Sequence, residues 1–159
     1  MRKVVVNSTP VIALAGIHAL HILREMYQEV LIPEAVYLEL TAKEDTVSEQ
    51  LRSADWIHTT SIHNEQDKRM YRTKLHAGEV EVMILAQEIS ADLVVLDDYA
   101  ARKTAQYLGL TVTGTIGVIV KAAQKGIIQD AMPLIEALEE SGFYISAELK
   151  EYVKRAVSI

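Results

Sequence analysis

The chain has 159 residues and a formal net charge of −6; half its residues are apolar and 24% are charged. That suits one domain with a real hydrophobic core. It contains no cysteine, which excludes disulfides, thiolate nucleophiles and cysteine-held zinc and fits a reducing cytoplasm. The negative balance argues against a broad phosphate-binding surface, which needs Lys and Arg. An acidic chain meets phosphate best where its acids hold a cation.

The N-terminus looks like a leader at first, but Asn7-Ser8-Thr9-Pro10 breaks the apolar run after three valines, too early for a leader's apolar core. No stretch approaches the roughly 20 apolar residues of a membrane span, so no membrane partner is expected and the protein is read as cytoplasmic. Residues 3–6 read as a buried parallel strand. Ser8 or Thr9 is expected to cap a helix with Pro10 at its first position. The apolar spacing over 10–26 predicts two short helices divided at Gly16. Val30 to Ile32 is a second strand, and Pro33 opens a helix carrying Val36, Leu38 and Leu40. A surface helix falls within 43–55, and an extended segment runs from Trp56 to Ile62. Residues 64–74 are polar, a rim that meets substrate or a solvated helix.

A helix opened by glycine follows in "HAGEVEVMILAQEIS". The clearest strand is "ADLVVLDD", four apolar residues ending in two aspartates. Then come a helix stopped at Gly109, the strand "LTVT", a helix closed by Gly126, and helical patterns around 130–140 and 146–156. Strands alternating with helices over short links predict a three-layer α/β/α fold around a central parallel sheet, with C-terminal helices. The expected organisation is one domain over 1–128 with a helical extension over 129–159 packed on it.

In open parallel sheets ligands bind at the carboxyl ends of the strands. Asn7, Ser8 and Thr9 stand there after the first strand, Asp97 and Asp98 after "LVVL", and Thr113, Gly114 and Thr115 after "LTV". Glu79 opens the helix before the Asp97–Asp98 strand, and Glu39 lies on the helix after the second strand. Convergent oxygens from these positions suit Mg²⁺ or Mn²⁺. Such an ion orients a water and stabilises charge on a phosphodiester.

The segments "VVVNSTPVIALAGI", "LIPEAVYLEL", "LHAGEVEVMILAQE", "LVVLDDYAARKTAQYLGL" and "VTGTIGVIVKAAQKGII", in this order and spacing from residue 4 to about 128, resemble the PIN domain, the fold of VapC-type toxin ribonucleases. The resemblance implies a metal-dependent endoribonuclease acting on RNA with Mg²⁺ or Mn²⁺, possible pairing with an antitoxin protein, and a homodimer. It places the catalytic positions on Asn7, Glu39, Glu79 and Asp98. The metal positions fall on Asn7, Glu79, Asp97 and Asp98. Ser8, Thr113, Thr115 and Arg102 fall beside the ion or the substrate. The family pattern has Asp where this chain has Asn7. A carboxamide offers an oxygen but no charge, so metal affinity should fall.

Each residue also has an ordinary role. Asp98 is a fitting N-cap for a helix beginning at Tyr99, and Thr115 for the helix after it. Asp97 could face solvent. Glu79 in a first turn complements the helix dipole. Glu81, about 200° further round the helix, cannot share its target and reads as surface. Arg102 and Lys103 could touch a phosphate or form a solvated face. The histidines are scattered, and His18 with His21 lacks a third ligand. The apolar positions Leu134, Ile135, Leu138, Leu149, Tyr152 and Val153 suit a partner or the chain's own core. Two rival functions remain. One is a catalytically attenuated PIN-like module that binds nucleic acid or protein. The other is a nucleotide-binding or receiver domain, which lacks its glycine fingerprint, P-loop and acid pair.

Overall fold

A computed structural model describes residues 2–68 and 75–157. The β-branched run Val4–Val6 (β1) is wholly buried, as expected of a strand covered on both faces. It lies at the centre of a parallel sheet ordered β3-β2-β1-β4-β5. The other strands are β2 (Val30–Pro33), β3 (Ile57–Thr60), β4 (Leu93–Val95) and β5 (Val112–Thr113). Val5 pairs with Leu31 of β2 and Val94 of β4. Beyond the strand proper, the Asn7 N–H donates to Val95 O at 3.0 Å and the Leu96 N–H to Thr113 O at 2.8 Å. These two bonds carry the ladder one residue further and fix where the polar positions begin.

The helices among the described residues are α1 (Ser8–Gly16), α2 (His21–Tyr27), α3 (Glu34–Leu40), α4 (Thr46–Ser53), α5 (Ala77–Glu88), α6 (Tyr99–Tyr107), α7 (Thr115–Gln124), α8 (Met132–Glu140) and α9 (Ala147–Val157). They cover both faces of the sheet, giving the three-layer α/β/α arrangement. Ile135 and Leu138 of α8 and Val153 of α9 join the same buried core as β1. No helix among the described residues is long and apolar enough to cross a membrane. Gly109 and Gly126 take φ of +81° and +76°, the left-handed conformation that lets glycine end α6 and α7.

Several local expectations are corrected. Asn7, not Ser8 or Thr9, precedes α1, and Ser8 is its first residue. The extended Asn7 backbone ends β1 and turns straight into the helix. Pro33 ends β2 rather than opening α3. Leu38 is 66% exposed, so it does not belong to the core face of α3. Of the polar stretch 64–74, Glu65–Asp67 forms a 3₁₀ turn; residues 69–74 lie outside the described residues.

Candidate functional site

Three connections deliver polar side chains to the carboxyl ends of the central strands. The β1–α1 junction places Asn7 and Ser8, both 1% exposed. Asn7 Oδ1 and Ser8 Oγ are buried and accept or donate no hydrogen bond. Most buried polar atoms are paired, and leaving one unpaired costs about 1–3 kcal/mol. Two such atoms on adjacent residues therefore mark a place where something polar is missing.

Gly78, in the first turn of α5, faces Asn7. A Cβ at Gly78 would stand 3.2 Å from Glu39 Oε1, 3.5 Å from Val36 Cγ2 and 3.7 Å from Asn7 Oδ1. The absent side chain thus leaves a small gap bordered by oxygens of Asn7, which directly follows β1, and of Glu39 on α3. Beside it, Glu79 is buried at 4% exposure. Its Oε1 accepts the His76 N–H at 3.3 Å, and its Oε2 lies 3.3 Å from His76 Nε2. Burial pushes the Glu79 carboxyl above its ordinary range; His76 opposes this, while Asp98 and Glu39 add to it. Repulsion from Asp98 and Glu39 places all three carboxylates in one electrostatic neighbourhood. Glu39 itself is exposed.

Asp98 caps α6, its Oδ2 accepting the Ala101 N–H at 3.0 Å, in the role its place in the sequence suggests. Asp97 does not face solvent. Its Oδ1 accepts the Thr115 N–H at 2.8 Å and its Oδ2 the Thr115 hydroxyl at 2.6 Å. Desolvation raises the Asp97 pKa, and the two Thr115 bonds and Arg102 pull against that rise. Thr115 is the first residue of α7, and Gly114 takes the capping position expected of it. A Cβ at Gly114 would be 2.8 Å from Asp97 Oδ1 and 3.3 Å from Arg102 Nη1, so only glycine permits this close approach. Thr113 Oγ1 abuts Gly117 instead of the carboxylates.

The expected residues therefore divide. Asn7 and Glu39 border the gap at Gly78, Glu79 is the next residue along α5, and Asp98 acts on Glu79 electrostatically, while Ser8 follows Asn7 with its hydroxyl unpaired. Asp97 and Thr115 form a clasp that ties the end of β4 to α7, with Arg102 near enough to act on the Asp97 charge. Among the described residues, no three His, Asp or Glu side chains stand close enough to hold an ion by themselves. Asn7 Oδ1, an unpaired buried oxygen near Gly78, is the kind of donor an oxygen-preferring divalent ion takes.

Sequence reasoning missed three residues. Gly78 was legible only as a helix opener. His76 was one scattered histidine, although its place three residues before Glu79 is the spacing of a capping box. Glu81, read as surface, is 6% exposed. It accepts the Ala35 N–H at 3.1 Å and pairs with Lys68 at 2.9 Å, anchoring the start of α3, the helix that carries Glu39, to α5.

A family model described as a PIN domain matches residues 3–158. No curated protein matches the chain.

Proposed function

The chain belongs to the PIN-domain family, a nuclease-type fold, and from that premise we propose that it is a metal-dependent endoribonuclease that hydrolyses RNA phosphodiesters at the Gly78 gap. The observation that carries this reading is the buried, unpartnered Asn7 Oδ1, near a carboxyl group that burial, with Asp98 and Glu39 adding to it, raises above its ordinary pKa. Such a cluster is stabilised by a cation. Asn7, Glu79 and Asp98 would hold Mg²⁺ or Mn²⁺, with Glu39 at its border. When bound, the ion supplies Lewis-acid stabilisation of phosphodiester charge and a more acidic water.

The remaining work falls to the chain's own residues. His76 keeps the Glu79 carboxyl oriented through the backbone N–H and ring contacts. The cap bond from Ala101 N–H fixes the Asp98 side chain. The Asp97–Thr115 clasp holds the β4 end so that Asp98 keeps its place. By resemblance, the protein would serve as the toxin of a toxin–antitoxin pair and act as a homodimer.

A second reading has its own support. The neutral Asn7 and the lack of a three-acid cluster among the described residues favour an attenuated PIN module that binds nucleic acid or protein without cutting. Cleavage of a mixed single-stranded RNA pool in Mn²⁺ or EDTA separates the two. Wild-type cutting that needs Mn²⁺ and disappears in Asp98→Asn supports the nuclease. Cutting only after Asn7→Asp means a scaffold lacking one charge. No cutting by any variant leaves the binding module.

A further inference from the structure

The two flanks of the site differ in charge. From Glu34 to Ser53, covering α3 and α4, the chain carries Glu34, Glu39, Glu44, Asp45 and Glu49 against Lys43 and Arg52. Arg52 is consumed by Glu44 at 2.8 Å. Helix α6, on the other flank, contains Arg102 and Lys103 and no acid. It begins directly after Asp98, its capping residue.

Helix α6 also exposes aromatic rings. Tyr99 is 74% and Tyr107 90% exposed. Tyr99, Lys103 and Tyr107 are spaced four apart and so share one helix face, about 12 Å long. Lys103 Nζ lies 5.5 Å from the Tyr99 ring centroid. Beside the ring, a cavity of about 330 Å³ is lined by Asp97, Tyr99, Arg102, Lys103 and Gln106. Single exposed aromatics are ordinary on a protein surface. Here two lie on one acid-free face, with a lysine between them, starting at the edge of the candidate site. Rings interleaved with cations are the arrangement that holds unpaired nucleotides, bases on the rings and phosphates on the cations.

We propose that this face of α6 is a nucleotide-binding platform, on which Tyr99 stacks an unpaired base flanking the scissile bond while Lys103 and Arg102 meet its phosphates. The RNA then leaves the site over α6, and the acidic α3–α4 flank repels it. The platform rests on the nuclease reading for its location but makes a separate prediction about binding.

The test is fluorescence anisotropy with a labelled, uncleavable 2′-O-methyl single-stranded RNA and its duplex, in Mg²⁺, across a salt series. Tyr99→Ala should weaken single-strand binding roughly tenfold, and Tyr99→Phe should bind like wild type. Lys103→Gln should weaken binding several-fold and flatten the salt dependence by about one unit of slope. Tyr144→Ala, at an 85% exposed ring outside α6, should change nothing, and duplex binding should not respond to Tyr99. Wild-type affinity in Tyr99→Ala and Lys103→Gln, or no binding by the wild type, overturns the platform. If the wild type cuts RNA in Mn²⁺ but Tyr99→Ala binds normally, the nuclease reading stands and the platform falls. Tyr99-dependent binding without cutting has the opposite meaning.

Discussion

Two regions at the same end of the sheet treat buried oxygen in opposite ways. In the Asp97–Thr115 clasp both carboxylate oxygens are met by donors, at 2.8 and 2.6 Å. Around the Gly78 gap, Asn7 Oδ1 and the neighbouring Ser8 Oγ have no partner, and Glu79 is raised in pKa by burial first, with Asp98 and Glu39 adding to it. The first region is complete by itself and behaves as scaffold. The second leaves two buried oxygens unpaired, which supports the proposal that a ligand completes it. Asp97 and Asp98 are neighbours in sequence, yet they belong to different regions.

The largest effect should come from separating those two aspartates. Asp98→Asn should lower Mn²⁺-dependent RNA cleavage by about 10²-fold or more. It should leave the unfolding midpoint nearly unchanged, because Asn caps a helix as well as Asp does. Asp97→Ala should do the reverse in stability, lowering it by about 2 kcal/mol in urea unfolding as the Thr115 N–H and hydroxyl lose their acceptor. Equal stability losses in both variants would erase the distinction between clasp and gap.

Metal addition probes the incomplete region directly. Mn²⁺ at a hundred times its dissociation constant should stabilise the wild type by about 2.7 kcal/mol, and EDTA should reverse this. Asp98→Asn should lose most of that increment. Gly78→Ala sharpens the same point with a smaller effect. Alanine is favoured over glycine within a helix by about 1 kcal/mol, and its Cβ would meet only side-chain atoms, the tip of Glu39 at 3.2 Å, Val36 Cγ2 at 3.5 Å and Asn7 Oδ1 at 3.7 Å. The variant should therefore be as stable as wild type or more so, yet bind Mn²⁺ more weakly in calorimetry. Undiminished Mn²⁺ affinity would mean that the gap is not where the ion sits.

How much of this the sequence disclosed follows from what each signal depends on. The fold was legible because "VVV", "LVVL" and the helix patterns report burial and period, which are local properties. Asp98 and Glu79 were legible because strand ends and helix starts place them, whatever their neighbours do. The fate of Asp97 was not, since it depends on Gly114 allowing Thr115 to approach from a segment 18 residues away. Glu81 was misread for a related reason. Helical phase correctly separated it from Glu79, but phase cannot show that Ala35 and Lys68 would cover that second face. Position along an element can be read from sequence, while the partner that arrives from another element cannot.

The subtlest break in the comparison is the titration of Glu79. Its folded-state pKa lies above the glutamate value of 4.5, through burial first and then Asp98 and Glu39, with His76 opposing. The folded chain therefore holds this proton more tightly than the unfolded chain. That contribution to stability is fully present below the unfolded pKa and is lost as pH rises through the folded pKa. Glu79→Gln keeps the shape without the charge. It should match wild type in urea unfolding below pH 4.5 and exceed it at neutral pH, the difference opening between the unfolded and the raised folded value. Saturating Mn²⁺ should invert the order at neutral pH, because only the wild type offers the ion this carboxylate. A variant no more stable than wild type at neutral pH without metal would place Glu79 with the satisfied groups, and the contrast would then rest on Asn7 and Ser8 alone.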